Sequence, residues 1–231
     1  PCGFRSEAFY PCYGLAEATL FVSGGDKTEA PQVIHVDTNA LAQNRIEVGE
    51  DLSESTAIVS CGKIAAQEVV IVNPDDLLPC NENQVGEIWV TGESFALGYW
   101  GKIQETAETF KAIVGAEEKS YLRTGDLGFI SEGELYITGR IKDTIIIRGL
   151  NYYPQDIELT VEQSHPSLQP GYGAAFGVEI AKEVKEEGLV IVQEVKREGW
   201  RCVDVDGVIE SIRAAVSKQQ QLQVYAVLLL K

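Results

Sequence analysis

With 231 residues, 45% of them hydrophobic and 8% aromatic, the chain can bury a real core and fits either one domain or a large one followed by a small one, which excludes a disordered polymer. A formal net charge of −16, from 19 Lys and Arg against 35 Asp and Glu, excludes unaided binding to nucleic acid or an anionic membrane, because phosphate binding needs clustered cations and these are scattered. The longest apolar run, Val224 to Leu230, is far short of the roughly 20 residues that cross a bilayer, and no signal-peptide pattern opens the chain, so stable membrane insertion is not expected.

The five cysteines, Cys2, Cys12, Cys61, Cys80 and Cys202, are widely spaced, form no C-x-x-C pair and have only His35 and His165 as imidazole partners. Neither a zinc site nor a disulfide framework is expected, and a reducing cytoplasm fits this usage best.

In chain order, the first informative segment is Tyr13-Gly14-Leu15-Ala16-Glu17-Ala18-Thr19. Its single carboxylate, Glu17, sits among small apolar residues, which suits a divalent cation held by one carboxylate plus substrate phosphates and water. It equally suits a helix start, where the dipole favours Glu. From Val33 to Thr138 the sequence is mostly short β-type runs, among them 69–72, 87–90 and 134–137, punctuated by Gly, Asn and Pro; these predict a sheet or barrel layer. One helix is predicted to interrupt it from Gln104 to about Val114, with Ala107, Phe110 and Val114 at helical spacing.

Arg123-Thr124-Gly125-Asp126 follows. An Asp held in a glycine-flanked turn between apolar strands can accept hydrogen bonds from vicinal hydroxyls, as acidic residues do on nucleotide riboses, although ordinary Asp turns look the same. Gly139-Arg140-Ile141-Lys142-Asp143 is a third cluster: Arg140 suits ribose or phosphate, and a charged pair at a domain boundary suits a hinge or a solvated turn. After 145–147 the style changes to alternating helices and strands. Pro154 predicts the first turn of a helix carrying Ile157, Leu159 and Val161, and Asp204 or Asp206 a cap for a second through Val208, Ile209, Ile212 and Val216. Strands at 174–178, 189–195 and 222–230 complete a small α+β unit. No P-loop pattern occurs, and Gly171-Tyr172-Gly173-Ala174-Ala175-Phe176 only grazes the dinucleotide pattern, which makes it a turn entering a strand.

Y-G-L-A-E, G-E-I-W-V-T-G with G-Y-W, R-T-G-D and G-R-I-K-D, in this order, together resemble the adenylate-forming superfamily. The segments 9–19 and 145–158 resemble its fatty acyl-AMP ligases in particular. The resemblance implies ATP-dependent activation of a fatty acid to an acyl-adenylate, with Mg²⁺. The acyl group then passes to the phosphopantetheine thiol of an acyl carrier protein or a polyketide synthase carrier domain. Tyr13 and Gly14 would lie beside the nucleotide and acyl pocket, Glu17 on Mg²⁺, Asp126 on the ribose hydroxyls, Arg140 on ribose or phosphate, and Lys142 at the hinge. Ala16 stands where the wider superfamily commonly has Thr. A fatty acyl-CoA synthetase shares the four motifs, and a non-catalytic carrier-docking module is the reading from another class.

The implied fold is mixed α/β and α+β. Residues 1–141 would be the β-rich carboxyl-terminal portion of a large adenylation domain, with a family insertion at about 24–55. Residues 142–231 would be a small, mobile α+β domain lacking its end. The family's phosphate loop is expected upstream of Pro1, and its catalytic lysine downstream of Lys231.

Overall fold

The computed structural model describes residues 3–49, 51, 52, 54–65, 67–115, 119–181, 186–197 and 204–231; Cys2 and Cys202 lie outside them. The chain forms two compact units, Pro1–Lys142 and Asp143–Lys231.

The first unit runs through a 3-10 turn (Ser6–Ala8), β1 (Cys12–Tyr13), a second 3-10 turn (Ala16–Ala18), β2 (Ser23–Gly24), β3 (Val33–Asp37), α1 (Thr38–Ala42), β4 (Ser55–Ile64), β5 (Glu68–Val72), β6 (Gly86–Thr91), α2 (Ile103–Phe110), β7 (Ala112–Ile113), β8 (Ser120–Ser131) and β9 (Glu134–Arg140). Among the described residues these strands make one antiparallel sheet in the order β1-β2-β4-β9-β8-β6-β5, with β3 added on β4 and β7 on β8. Successive side chains of a strand point to opposite faces, and β6 is buried on both. Ile88 and Val90 pack on one face with Leu122, Leu135, Ala18 and Val22, whereas Trp89 packs on the other with Val72, Val114 and Tyr121. Within the segment 24–55, Val36 and Leu41 are buried and α1 is capped by Asp37, whose carboxylate accepts from Ala40 N at 2.8 Å. Val33, in the same segment, is exposed.

The second unit runs through β10 (Ile145–Ile147), β11 (Leu150–Tyr152), α3 (Pro154–Ser164), β12 (Leu168–Ala181), β13 (Glu186–Val195), α4 (Val205–Gln220) and β14 (Val224–Leu230). A β10-β11 hairpin precedes a sheet ordered β12-β13-β14, antiparallel in its first pair and parallel in its second. Ile157 and Val161 of α3 and Val208, Ile212 and Val216 of α4 share one core with Leu189, Ile191 and Val195 of β13. Pro154 occupies the first turn of α3, where its missing N–H costs nothing. The cap of α4 is Asp204, not Asp206: its carboxylate accepts from Gly207 N at 3.1 Å.

Three expectations about helix extent, helix phase and strand extent differ from the structure. The helix expected to reach Val114 ends at Phe110, because Ala112 and Ile113 pair with Tyr121 and Ser120 and deliver Val114 to the core from an extended backbone. Leu159 is 50% exposed, since the inward stripe of α3 runs through Ile157, Thr160 and Val161. Leu222 is buried but precedes the last strand, which begins at Val224. Among the described residues no helix is long and apolar enough to cross a membrane.

Candidate functional site

The first side of the site is the path from Tyr13 to Leu20. Tyr13 pairs with Ser23 across β1 and β2, and Leu20 N donates to Leu15 O at 3.0 Å, closing a tight loop. A Cβ on Gly14 would stand 1.3 Å from the Leu20 carbonyl oxygen, so only glycine lets the chain fold back there. The loop contains the Ala16–Ala18 turn, in which Ala18 is fully buried and anchors the backbone beneath the half-buried Glu17. Glu17 is thus at a 3-10 turn and not at the start of an α-helix. Its Oε1 accepts the Tyr99 hydroxyl at 2.8 Å. That hydrogen bond, with burial and the carboxylate charge adding to it, pushes the Tyr99 phenol up to about 12.

The second side is β8, and here the expected turn at Asp126 is absent: Arg123 to Asp126 lie inside a strand of 12 residues. The ladder with β6 pairs Trp89 with Arg123 but Glu87 with Leu127, so three residues of β8 oppose one of β6 and the strand bulges. Side chains take over the displaced hydrogen bonds. Thr124 Oγ1 donates to Ile88 O at 2.7 Å and accepts from Asp126 N at 3.1 Å. Glu87, 1% exposed, accepts from Gly125 N at 3.1 Å and from Arg123 Nη2 at 2.8 Å. Gly125 has φ +73°, which a glycine adopts without strain. Bulges re-aim side chains, and the one re-aimed here is Asp126.

Asp126 pairs with Arg140 across β8 and β9. Its Oδ1 accepts Arg140 Nε at 3.1 Å and its Oδ2 accepts the Tyr13 hydroxyl at 2.7 Å. Burial, reinforced by Asp126, holds the Tyr13 phenol far above its ordinary pKa, so it remains a donor. The Arg140 side chain is 71% exposed, so this pair contributes only about 0–1 kcal/mol to stability, and its guanidinium faces solvent and any ligand.

Glu17, Tyr99, Arg123, Asp126, Arg140 and Lys142 line one open cleft of about 560 Å³. Four residues singled out from the sequence, Glu17, Asp126, Arg140 and Lys142, therefore meet there, and Tyr13 joins them through Asp126. Gly14 contributes the backbone path behind them. The exposed Lys142 closes the first unit, immediately before the division at Asp143. Sequence reasoning gave no role to Glu87, Tyr99, Arg123 or Thr124. The available signal was Glu87, a lone carboxylate within the otherwise uncharged strand run 86–91. Chemically, the cleft offers a carboxylate with one oxygen already oriented, a second carboxylate held by two donors, and exposed cations. That set suits a polyol bearing phosphates.

A family model described as AMP-binding enzyme matches residues 2–100. The chain is 51% identical over 236 residues to JamA of Moorena producens, a medium-chain-fatty-acid–[acyl-carrier-protein] ligase, covering all of this chain and 39% of the relative. It is 38% identical over 259 residues to the long-chain-fatty-acid–AMP ligase FadD32 of Mycolicibacterium smegmatis, covering 99% of this chain and 41% of that one. Among solved structures it superposes with TM-score 0.80 and 33% identity on one from structural and functional studies of fatty acyl-adenylate ligases of E. coli and L. pneumophila, covering 98% of this chain and 38% of that chain. The chain thus spans about two fifths of the length of the relatives it matches.

Proposed function

Because the chain belongs to the fatty acyl-AMP ligases of the adenylate-forming superfamily, we propose that the protein containing it activates a fatty acid with ATP and passes the acyl group to a carrier-protein thiol. One observation carries this reading: a ribose-sized acceptor, Asp126, and a metal-suited carboxylate, Glu17, face the same cleft with Arg140 between solvent and Asp126. JamA, whose name specifies an acyl carrier protein, supports the carrier as the acceptor in preference to CoA.

In the first half-reaction a carboxylate oxygen of the fatty acid attacks the α-phosphorus of ATP. A new P–O bond forms, the bond to the β-phosphate oxygen breaks, and pyrophosphate leaves. Asp126 accepts from the ribose hydroxyls and fixes the α-phosphorus relative to Arg140, which offers guanidinium donors to the charge that develops on phosphate oxygens. Tyr13 keeps Asp126 turned toward the sugar. Among the described residues no group of three or more acidic, His or Cys side chains could cage a metal. Glu17, a single carboxylate lining the cleft, suits the arrangement for Mg²⁺ in which one carboxylate is completed by nucleotide phosphates and water. When bound, the cation neutralises phosphate charge. In the second half-reaction the thiol sulfur attacks the acyl carbon, AMP leaves with the bonding electron pair, and the thiol proton passes to solvent.

The test uses the whole protein. Pyrophosphate exchange into ATP should depend on a fatty acid, and the thioester product, identified by mass, should be acyl carrier protein with little acyl-CoA. Equal or greater acyl-CoA would mean an acyl-CoA synthetase. No exchange with any chain length from medium to long would leave the docking-module reading. Glu17→Gln should lower the exchange rate about 30-fold and change the fatty-acid KM little, since a metal ligand matters most as charge develops.

Lys142 is assigned the hinge on which the following unit, residues 143–231, changes orientation between the half-reactions. Lys142→Pro fixes φ and restricts Ile141. It should reduce thioester formation about tenfold while exchange is maintained. Equal loss of both rates would make Lys142 structural.

A further inference from the structure

Glu17 is tied twice to the stretch 96–99. Ala96 N donates to Glu17 O at 2.9 Å, and the Tyr99 hydroxyl donates to Glu17 Oε1 at 2.8 Å. Tyr99 is in turn held by α2 and by Lys102, the residue just before it. Thr106 Oγ1 accepts from Tyr99 N at 2.9 Å, Lys102 N donates to Tyr99 O at 3.2 Å, and the Phe110 ring meets the Tyr99 ring edge-on at 5.1 Å and 79°. An uncapped helix with no fully buried residue would contribute little as a core element. It does, however, constrain the backbone and ring of this one tyrosine, which is 37% exposed at the rim of the cleft. A carboxylate on a short 3-10 turn has free χ angles of its own, and a neutral donor on one oxygen selects the rotamers that turn the other oxygen to a ligand.

We propose that Tyr99 is the positioning residue for Glu17: α2 delivers its hydroxyl to one carboxylate oxygen, and the other oxygen is thereby aimed into the cleft for a divalent cation. The proposal rests on the reading of Glu17 as the metal-bearing carboxylate. It assigns a role to the G-Y-W stretch and to α2 that the four site residues alone do not require.

The experiment compares wild type, Tyr99→Phe, Thr106→Val and Glu17→Gln in the whole protein, and its first readout is binding rather than turnover. Mn²⁺ is titrated into the complex with α,β-methylene-ATP and the free ion is followed by electron paramagnetic resonance. Tyr99→Phe keeps the ring against Phe110 and removes only the hydroxyl, so the fold is retained. It should weaken Mn²⁺ about tenfold, as loss of a ligand's orienting partner does, and lower the exchange rate in parallel, with the fatty-acid KM within about twofold of wild type. Thr106→Val loosens the clamp and leaves the hydroxyl, so it should give a smaller loss in the same direction. Unchanged Mn²⁺ affinity in Tyr99→Phe, with Glu17→Gln weakened, overturns the role of Tyr99 alone. Unchanged affinity in Glu17→Gln overturns the metal reading of Glu17 and this proposal with it.

Discussion

In the whole protein, Asp126→Ala is expected to raise the ATP KM about 100-fold or more, with the fatty-acid KM nearly unchanged. Hydrogen bonds to a charged group contribute about 1.5–3 kcal/mol each, and two ribose hydroxyls would lose theirs together. Even the low end of that range, about 3 kcal/mol for the pair, exceeds two factors of ten in affinity at 1.4 kcal/mol per factor. The substitution also removes the Asp126 acceptor of the Tyr13 hydroxyl and of Arg140 Nε. Arg140 is mostly exposed and finds water, whereas the more buried Tyr13 loses a partner, so a stability loss of about 1–3 kcal/mol accompanies the binding defect. Tyr13→Phe separates the two effects, because it removes the donor and keeps the carboxylate. Its ATP KM should rise about tenfold or less, since Asp126 retains Arg140 and loses only one orienting bond. An ATP KM in Asp126→Ala equal to that of wild type, in protein shown to be folded, would remove Asp126 from the nucleotide site.

How much of this was readable in advance divides along physical lines. Local signals were legible: the short β-type runs bounded by turn residues that become β6 and β9, Pro154 at a helix start, and an Asp ahead of α4 all act over a few residues. The bulge at Arg123–Asp126 was not. Its cause is Glu87, which captures Gly125 N from 38 residues away and is recognisable only once β6 and β8 are adjacent. The same holds for Tyr99 and Glu17, 82 residues apart, and for the premature end of α2, which tertiary pairing with β8 imposes on a helical pattern. Leu159 fails for a different reason. Apolar character alone does not fix helix phase, and Thr160 holds the inward position with its hydroxyl 2.9 Å from Asp156 O and 2.8 Å from Gln219 Oε1, its one proton shared between these two acceptors. The meeting of Glu17, Asp126, Arg140 and Lys142 on one cleft is likewise a tertiary fact. The sequence supplied their identities through ordered motifs and family resemblance, not through any spacing that brings them together.

Glu87→Ala is expected to be among the most damaging single changes in the first unit, because Glu87 is buried beneath the cleft and fixes the strand that carries Asp126. Its side chain is 2% exposed, and its partner Arg123 is 34% exposed and lies over the Trp89 ring at 5.3 Å. Breaking a buried pair from one side costs about 3–5 kcal/mol, because the remaining charge stays desolvated and unpaired. Since water reaches part of Arg123, the low end, about 3 kcal/mol, applies. Urea unfolding should register it as a lower midpoint at constant slope. A functional loss should accompany it, because Gly125 N loses its acceptor and the bulge that aims Asp126 relaxes. The two consequences separate in the double variant Glu87→Leu with Arg123→Met. Replacing both members of a buried pair by apolar residues of similar volume is often neutral for stability, so the midpoint should recover most of its loss. The ATP KM should remain raised, because leucine cannot accept from Gly125 N and the cleft loses the Arg123 cation. Recovery of both stability and ATP affinity would mean that the bulge is held by Thr124 and the β6–β8 ladder alone. Recovery of neither would mean that the pair fills a volume these substitutions do not reproduce.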